Sequence, residues 1–245
     1  MSITSFSAGG SRTTVVEASR YARGVDLRLA ATVVEREDGG PMRPVGRRRR
    51  RRPGGLYYSH KMGRHVGWES KAERDAFFFP EVSPDIVAYR EQPHTVTAMI
   101  DGVRRSYTPD RLEIGAHDGL TVVEIKDKFE ADADPDYALK LEFFADVYAA
   151  LGWDFSVIDR EELEAQASVA ALKKIQSHRR VSFDVAELDA VKAVLAGRSA
   201  TVGELQQLFN HPLKGEAKLC AMMVMRHLRI DLNAPLCAET LVTPV

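Results

Sequence analysis

Apolar side chains recur at intervals of three and four over residues 136–152, with Leu141, Phe144, Tyr148 and Leu151 on one face. That period predicts a helix, and Gly152 is placed to end it. The acidic stretch Asp132 to Asp136 reads as the loop and N-cap region before it. Trp153-Asp154-Phe155-Ser156-Val157-Ile158 then reads as a buried strand. Earlier in the chain, Ala72, Ala76, Phe77 and Phe79 lie at helical spacing, and Pro80 is placed to stop that helix. An apolar strand ending at Gln92-Pro93 and a strand over 95–100 follow. Asp101-Gly102 after the second of these is a strong hairpin signal. Further on, Gly115 to Gly119 separates two β-rich segments, which predicts a second hairpin with Val122 to Lys126 as its return strand.

A second region begins near residues 160–166 and is mainly helical. It contains a helix from Ala170 to His178 and an amphipathic stretch over 184–196 closed by Gly197. Thr201-Val202-Gly203-Glu204 is a capping-box start for a helix through Phe209. A longer helix runs from Glu216 to Arg229, and a short β pair follows at the end. Helix, turn, helix and β tail suggest a winged-helix-like module that either contacts DNA or docks a partner; a small helical cap is the plainer reading.

At 245 residues and 44% hydrophobic content, the chain has ample material for a core. No apolar stretch approaches the ~20 residues of a membrane helix, and the Ser/Thr/Gly-rich start has no signal-peptide pattern, so a cytoplasmic protein is expected. Cys220 and Cys237 have no metal spacing and read as buried thiols. Net charge is −1, but it is unevenly spread. Arg47, Arg48, Arg49, Arg50, Arg51 and Arg52 form an unbroken run ending in Pro53-Gly54-Gly55. Such a run cannot pack, so residues 1–55 are expected to be a disordered basic arm suited to phosphate contacts. His60, Lys61 and Arg64, on a hairpin after it, would continue that DNA-binding surface.

The candidate chemistry lies in Pro109-Asp110 followed by Glu124-Ile125-Lys126. Glu124 and Lys126 are two apart and share a strand face. Asp110, brought beside them by the neighbouring strand, would make a divalent-metal site with an ammonium next to it. That combination suits phosphodiester hydrolysis. The same residues also suit an edge strand with a solvated Glu/Lys pair. Upstream, Glu69 and Glu73 share a helix face, and either one could bring a further carboxylate.

Tyr58 to Arg64, Glu73-Arg74-Asp75, Arg90 to Pro93, Pro109-Asp110 and Glu124-Ile125-Lys126 occur in an order and at spacings that resemble the TnsA family, the endonuclease subunits of heteromeric bacterial transposases. The resemblance covers roughly residues 56–165. It implies an α/β fold: a restriction-endonuclease-like mixed sheet flanked by helices, of the PD-(D/E)xK type; residues 166–245, outside the resemblance, are the separate module read above. It also implies that Glu73, Asp110 and Glu124 are catalytic and hold Mg²⁺, with Mn²⁺ able to substitute. The Ile125 carbonyl would be an added ligand and Lys126 the catalytic lysine. Gln92 would be either a polar contact near the site or a partner for a strand end. Lys140 stands where the family often carries a basic residue, although a solvated helix face explains it equally well. The implied activity is cutting of the 5′, non-transferred strands at double-stranded transposon ends. The implied partners are a DDE-type transposase subunit and an AAA+ ATPase regulator. A stand-alone nuclease of restriction, repair or phage origin, and a catalytically silent DNA-binding assembly subunit, are the alternatives.

Overall fold

The computed structural model of the protein describes residues 2–22, 25–43, 54–100, 102–130, 132–166 and 169–245, without the side chains of 18–29 and 165–168. The chain opens with β1 (Ser2–Ala8), β2 (Ser11–Ala22) and β3 (Val25–Arg36), which pair antiparallel in succession. Strands therefore occupy described residues from Ser2 to Arg36, within the stretch expected to be a disordered arm. Val15-Val16 and Thr32-Val33-Val34 are β-branched, and Val16, Ala31 and Val33 are buried. The Arg47–Arg52 run lies outside the described residues.

Next come β4 (Gly55–Ser59) and β5 (Arg64–Trp68), a hairpin of their own, then α1 (Lys71–Ala76) and α2 (Phe78–Val82). The helical stripe thus breaks at Phe77 rather than at Pro80. Pro80 sits within the first turn of α2, where a missing N–H leaves no helix bond unmade. β6 (Ile86–Glu91), β7 (His94–Ile100), β8 (Val103–Tyr107), β9 (Arg111–Gly115) and β10 (Leu120–Ile125) follow. Both expected hairpins form: β7 with β8, and β9 with β10.

Helix α3 (Pro135–Ala150) is capped by Asp134, whose side chain accepts from the Tyr137 N–H. It leads to β11 (Asp154–Ile158), which lies parallel to β10. A crossover helix is what a parallel return requires. β11 is half-buried rather than buried because it is the edge of its sheet. Two sheets result: an antiparallel sheet in the order β1-β2-β3-β7-β8 and a mixed sheet in the order β11-β10-β9-β6. One core joins them, with Val33 and Val96 of the first, Leu112 and Val122 of the second, and Leu141, Phe144 and Tyr148 of α3 between.

The chain continues with α4 (Arg160–Gln166), α5 (Val169–Ser177), α6 (Val185–Leu195), β12 (Ala200–Thr201), α7 (Val202–Gln206), α8 (Pro212–Val224), β13 (Leu228–Ile230) and β14 (Leu241–Pro244). The capping box expected at Thr201 is present. The long helix starts at Pro212, earlier than expected, and ends before Arg226, whose φ of 63° breaks it. β12, β14 and β13 make a small antiparallel sheet against these helices. The boundary at 165/166 is not a boundary in packing: Val82, Phe78 and Phe79 of α2 belong to the core formed by α5 to α8. Cys220 is buried, but Cys237 is exposed, contrary to expectation. Among the described residues, no helix is long and apolar enough to cross a membrane.

Candidate active site

The hairpin between β9 and β10 sets the centre of the site. Asp110 immediately precedes β9, and its Oδ2 accepts a 2.8 Å hydrogen bond from the Ile125 N–H. Its own carbonyl accepts from the Gln92 N–H at 2.9 Å. The Pro-Asp turn is therefore pinned from both sides across the end of β10. Gln92 adopts a φ of 41° to make this contact, and its side chain does not line the cavity. Of the two readings of Gln92, support through the backbone is the one that the geometry provides.

Glu124 is 4% exposed, yet it is surrounded by donors. Tyr107 donates to Oε2 at 2.7 Å, Tyr137 donates to Oε1 at 2.6 Å, and the Lys126 Nζ lies 2.6 Å from Oε1. The Lys126 ammonium also sits 4.8 Å above the Tyr137 ring. Burial works against its charge, but Glu124 and Tyr137 outweigh burial and hold Lys126 above its usual range.

Glu73 comes from the first turn of α1. Ser70 caps this helix by accepting from the Glu73 N–H at 3.1 Å, while Glu73 Oε2 accepts from the Glu69 N–H at 2.8 Å. Both Glu69 and Glu73 line the cavity, but Glu73 is the one on the helix. Burial raises the Glu73 carboxyl, opposed by its hydrogen bonds and reinforced by Glu69 and Glu124. Burial likewise pushes Asp110 up to about 8, with Glu124 and Glu73 adding to it. Glu124 acts on both Glu73 and Asp110, and Glu73 acts on Asp110, so these carboxylates meet against their own repulsion, which is the condition a bound cation relieves.

These residues face one cavity of about 470 Å³, which Glu73, Asp110, Glu124, Ile125 and Lys126 all line. Their hard oxygen donors fit Mg²⁺ or Mn²⁺ in kind. Among the described residues, no group of three or more His, Cys, Asp or Glu is placed to hold a metal ion. The oxygens are engaged within the protein: Glu124 accepts on both oxygens and Glu73 turns back onto its own helix end. One Asp110 oxygen is likewise engaged by the Ile125 N–H.

Two residues expected to bind DNA are committed elsewhere. The Lys61 ammonium points inward and donates to the carbonyls of Pro80, Ser83 and Ile86. Burial lowers it to about 7. Arg64 makes a two-pronged pair with buried Glu91 at 2.8 and 2.7 Å. The turn that carries them is drawn onto α2 by Glu81, which accepts from the backbone of His60 and Lys61. His60 is half-buried, and its ring lies 5.3 Å from that of Tyr58. Charge in a sequence does not reveal which end of a lysine is buried. Conversely, Arg43, Tyr107, Tyr137 and Lys140 line the cavity, and of these the sequence marks only Lys140. The sole prior signal for Tyr137 was its place in the first turn of the helix after Lys126.

The chain matches no protein-family model and no curated protein, so the assignment of the site rests on its own geometry.

Proposed function

We propose that this protein is a metal-dependent DNA endonuclease of the TnsA type. The observation that carries the proposal is the meeting of Glu73, Asp110, Glu124 and Lys126 in one cavity, from three separate stretches of chain. Glu73, Asp110 and Glu124, with the Ile125 carbonyl, would hold Mg²⁺, for which Mn²⁺ would substitute. Bound there, the ion supplies positive charge at the scissile phosphate. Tyr107 and Tyr137 fix Glu124, and Lys126 orients the water. The water oxygen forms the new bond to phosphorus and gives a proton to solvent, while the 3′-oxygen leaves with the old bonding pair and takes up a proton, so the products are a 3′-hydroxyl and a 5′-phosphate. In this reading the cut strands are the non-transferred 5′ strands of a transposon, and a DDE-type transposase acts on the others. The mixed sheet β11-β10-β9-β6 with its helices serves as the restriction-endonuclease-like core.

The region from α6 to β14 is read as a winged-helix-like module, since β12, α7, α8, β13 and β14 follow in that order with β14 central. Residues Leu219 to Val224 of α8 are all buried, so the C-terminal half of that helix offers no face to a DNA groove. We read the module as a docking unit, with the AAA+ ATPase regulator as the partner that the family resemblance implies.

Calorimetric titration tests the site directly. Mg²⁺ or Mn²⁺ should bind the wild-type protein and bind Asp110→Asn at least about tenfold more weakly, the scale on which ligand-shell changes act. No heat with either ion would favour a silent assembly subunit.

A further inference from the structure

Above the acidic floor stands a set of cations with no role yet assigned. Arg43 lines the cavity on one side, and its segment is anchored there because the Met42 N–H donates to the Gln92 carbonyl at 2.9 Å. Lys140, one turn beyond Tyr137 on α3, lines it on another. Its ammonium lies 5.5 Å above the Tyr107 ring and 5.8 Å above the Tyr137 ring. Arg105 is exposed on the edge strand β8, on the same face as Tyr107, whose hydroxyl reaches Glu124.

Arg105 and Arg43 are both close enough to act on Lys140. Burial holds Lys140 below its usual range, Glu124 opposes this, and Arg105, Lys126 and Arg43 push it further down. Cations placed to neutralise the floor would pair with it, as Lys126 does with Glu124. Among the described residues, none of Arg43, Arg105 and Lys140 forms an ion pair. Two cations lining the cavity and a third on the adjoining strand face, all left without an acidic partner among the described residues, call for a polyanion laid across them.

We infer that Arg43, Arg105 and Lys140 form a cationic rim that holds the phosphodiester backbone of DNA over the carboxylate cluster. This rests on the endonuclease reading and deepens it. The rim, rather than the turn carrying His60, Lys61 and Arg64, is the described surface that positions the substrate. Its residues are positioning residues for the phosphates flanking the scissile one.

The test is fluorescence anisotropy of a 20-base-pair duplex with the full-length protein in Ca²⁺, across a series of salt concentrations. Arg43→Gln, Arg105→Gln and Lys140→Gln should each weaken binding about threefold to tenfold, and each should reduce the salt slope by about 0.9. Lys192→Gln, an exposed charge on α6, should leave both unchanged. Thermal melts of each variant exclude a folding defect. Slopes equal to wild type in all three rim variants, an equal loss in Lys192→Gln, or no duplex binding by the wild type would overturn the rim. A parallel digestion in Mn²⁺ separates the two readings. Binding that depends on the rim without cutting would remove the nuclease and keep the rim. Cutting with unchanged slopes would do the reverse.

Discussion

Glu124 takes three donors at once, and the balance among them sets the chemistry of the site. Tyr107 is the buried member of that set, at 2.7 Å from Oε2. A hydrogen bond to a charged acceptor contributes about 1.5–3 kcal/mol, so Tyr107→Phe should lose that much stability in urea denaturation; an unchanged midpoint would contradict the assignment. Asp110 predicts a pH effect of definite sign. Its folded value, about 8, lies above its ordinary 3.8, so the fold prefers the protonated acid. The stability it contributes is full below about 3.8 and is lost as pH rises through about 8. Asp110→Asn should therefore gain on the wild type progressively across that window in metal-free buffer. The gain is at most about 1.4 kcal/mol per pH unit. Taking the difference between the two proteins cancels opposing groups such as His94, which burial lowers to about 3. A difference that is flat with pH would show that Asp110 ionises normally. Asp110, Glu124 and Lys126 stood out in the sequence less by their own pattern, which also suits a solvated edge strand, than by the order and spacing of the blocks around them, and Glu73 was separated from Glu69 only by its place on the helix. Tyr107 and Tyr137 did not stand out, since tyrosine serves equally well in any core.

At the scale of elements, the placing of Glu73 against Asp110 depends on a contact between α1 and β9. Arg111 follows Asp110 and is 1% exposed. Its guanidinium donates to the Ala76 carbonyl at the end of α1 at 2.8 Å and pairs with Glu113 at 2.7 Å. Arg111→Met should destabilise by about 3–5 kcal/mol, because it leaves Glu113 without its partner and the helix end uncapped. Chemical denaturation measures this; a loss below 1 kcal/mol would mean that the pair contributes little. The sequence revealed α3, both hairpins around the site and the Thr201 cap, where one strong local signal sufficed. It did not reveal β1 to β3. The arginine run suggested disorder for the whole start of the chain, whereas the Val and Thr pairs before it form strands that β7 completes.

For the whole molecule, the core shared by α2 and the C-terminal helices makes the module part of the fold rather than an appendage. Tyr57 donates to Gln176 at 2.8 Å across the same junction, and Lys173 pairs with Asp75 on α1 at 2.9 Å. The chain should therefore unfold in one transition. Ending it at residue 168 should expose Phe78, Phe79 and Val82 and lower the melting temperature or cause aggregation. Two separate calorimetric transitions, with a soluble and unchanged fragment, would contradict this. The sequence could mark where helices begin to dominate, but not that α2 would lend its apolar face to them.

The central claim is that Glu73, Asp110, Glu124 and Lys126 form one hydrolytic centre. The most direct test is nicking of supercoiled DNA, in Mg²⁺ and in Mn²⁺, with and without a DDE-type transposase of the kind proposed as its partner. Wild type should nick and leave 5′-phosphates, with cutting that depends on the transposase. Asp110→Ala and Lys126→Ala should each lose at least about a hundredfold in rate, the scale expected for removing an electrostatic element of the transition state. Cutting that survives both substitutions, or none by wild type under any condition, would contradict the account.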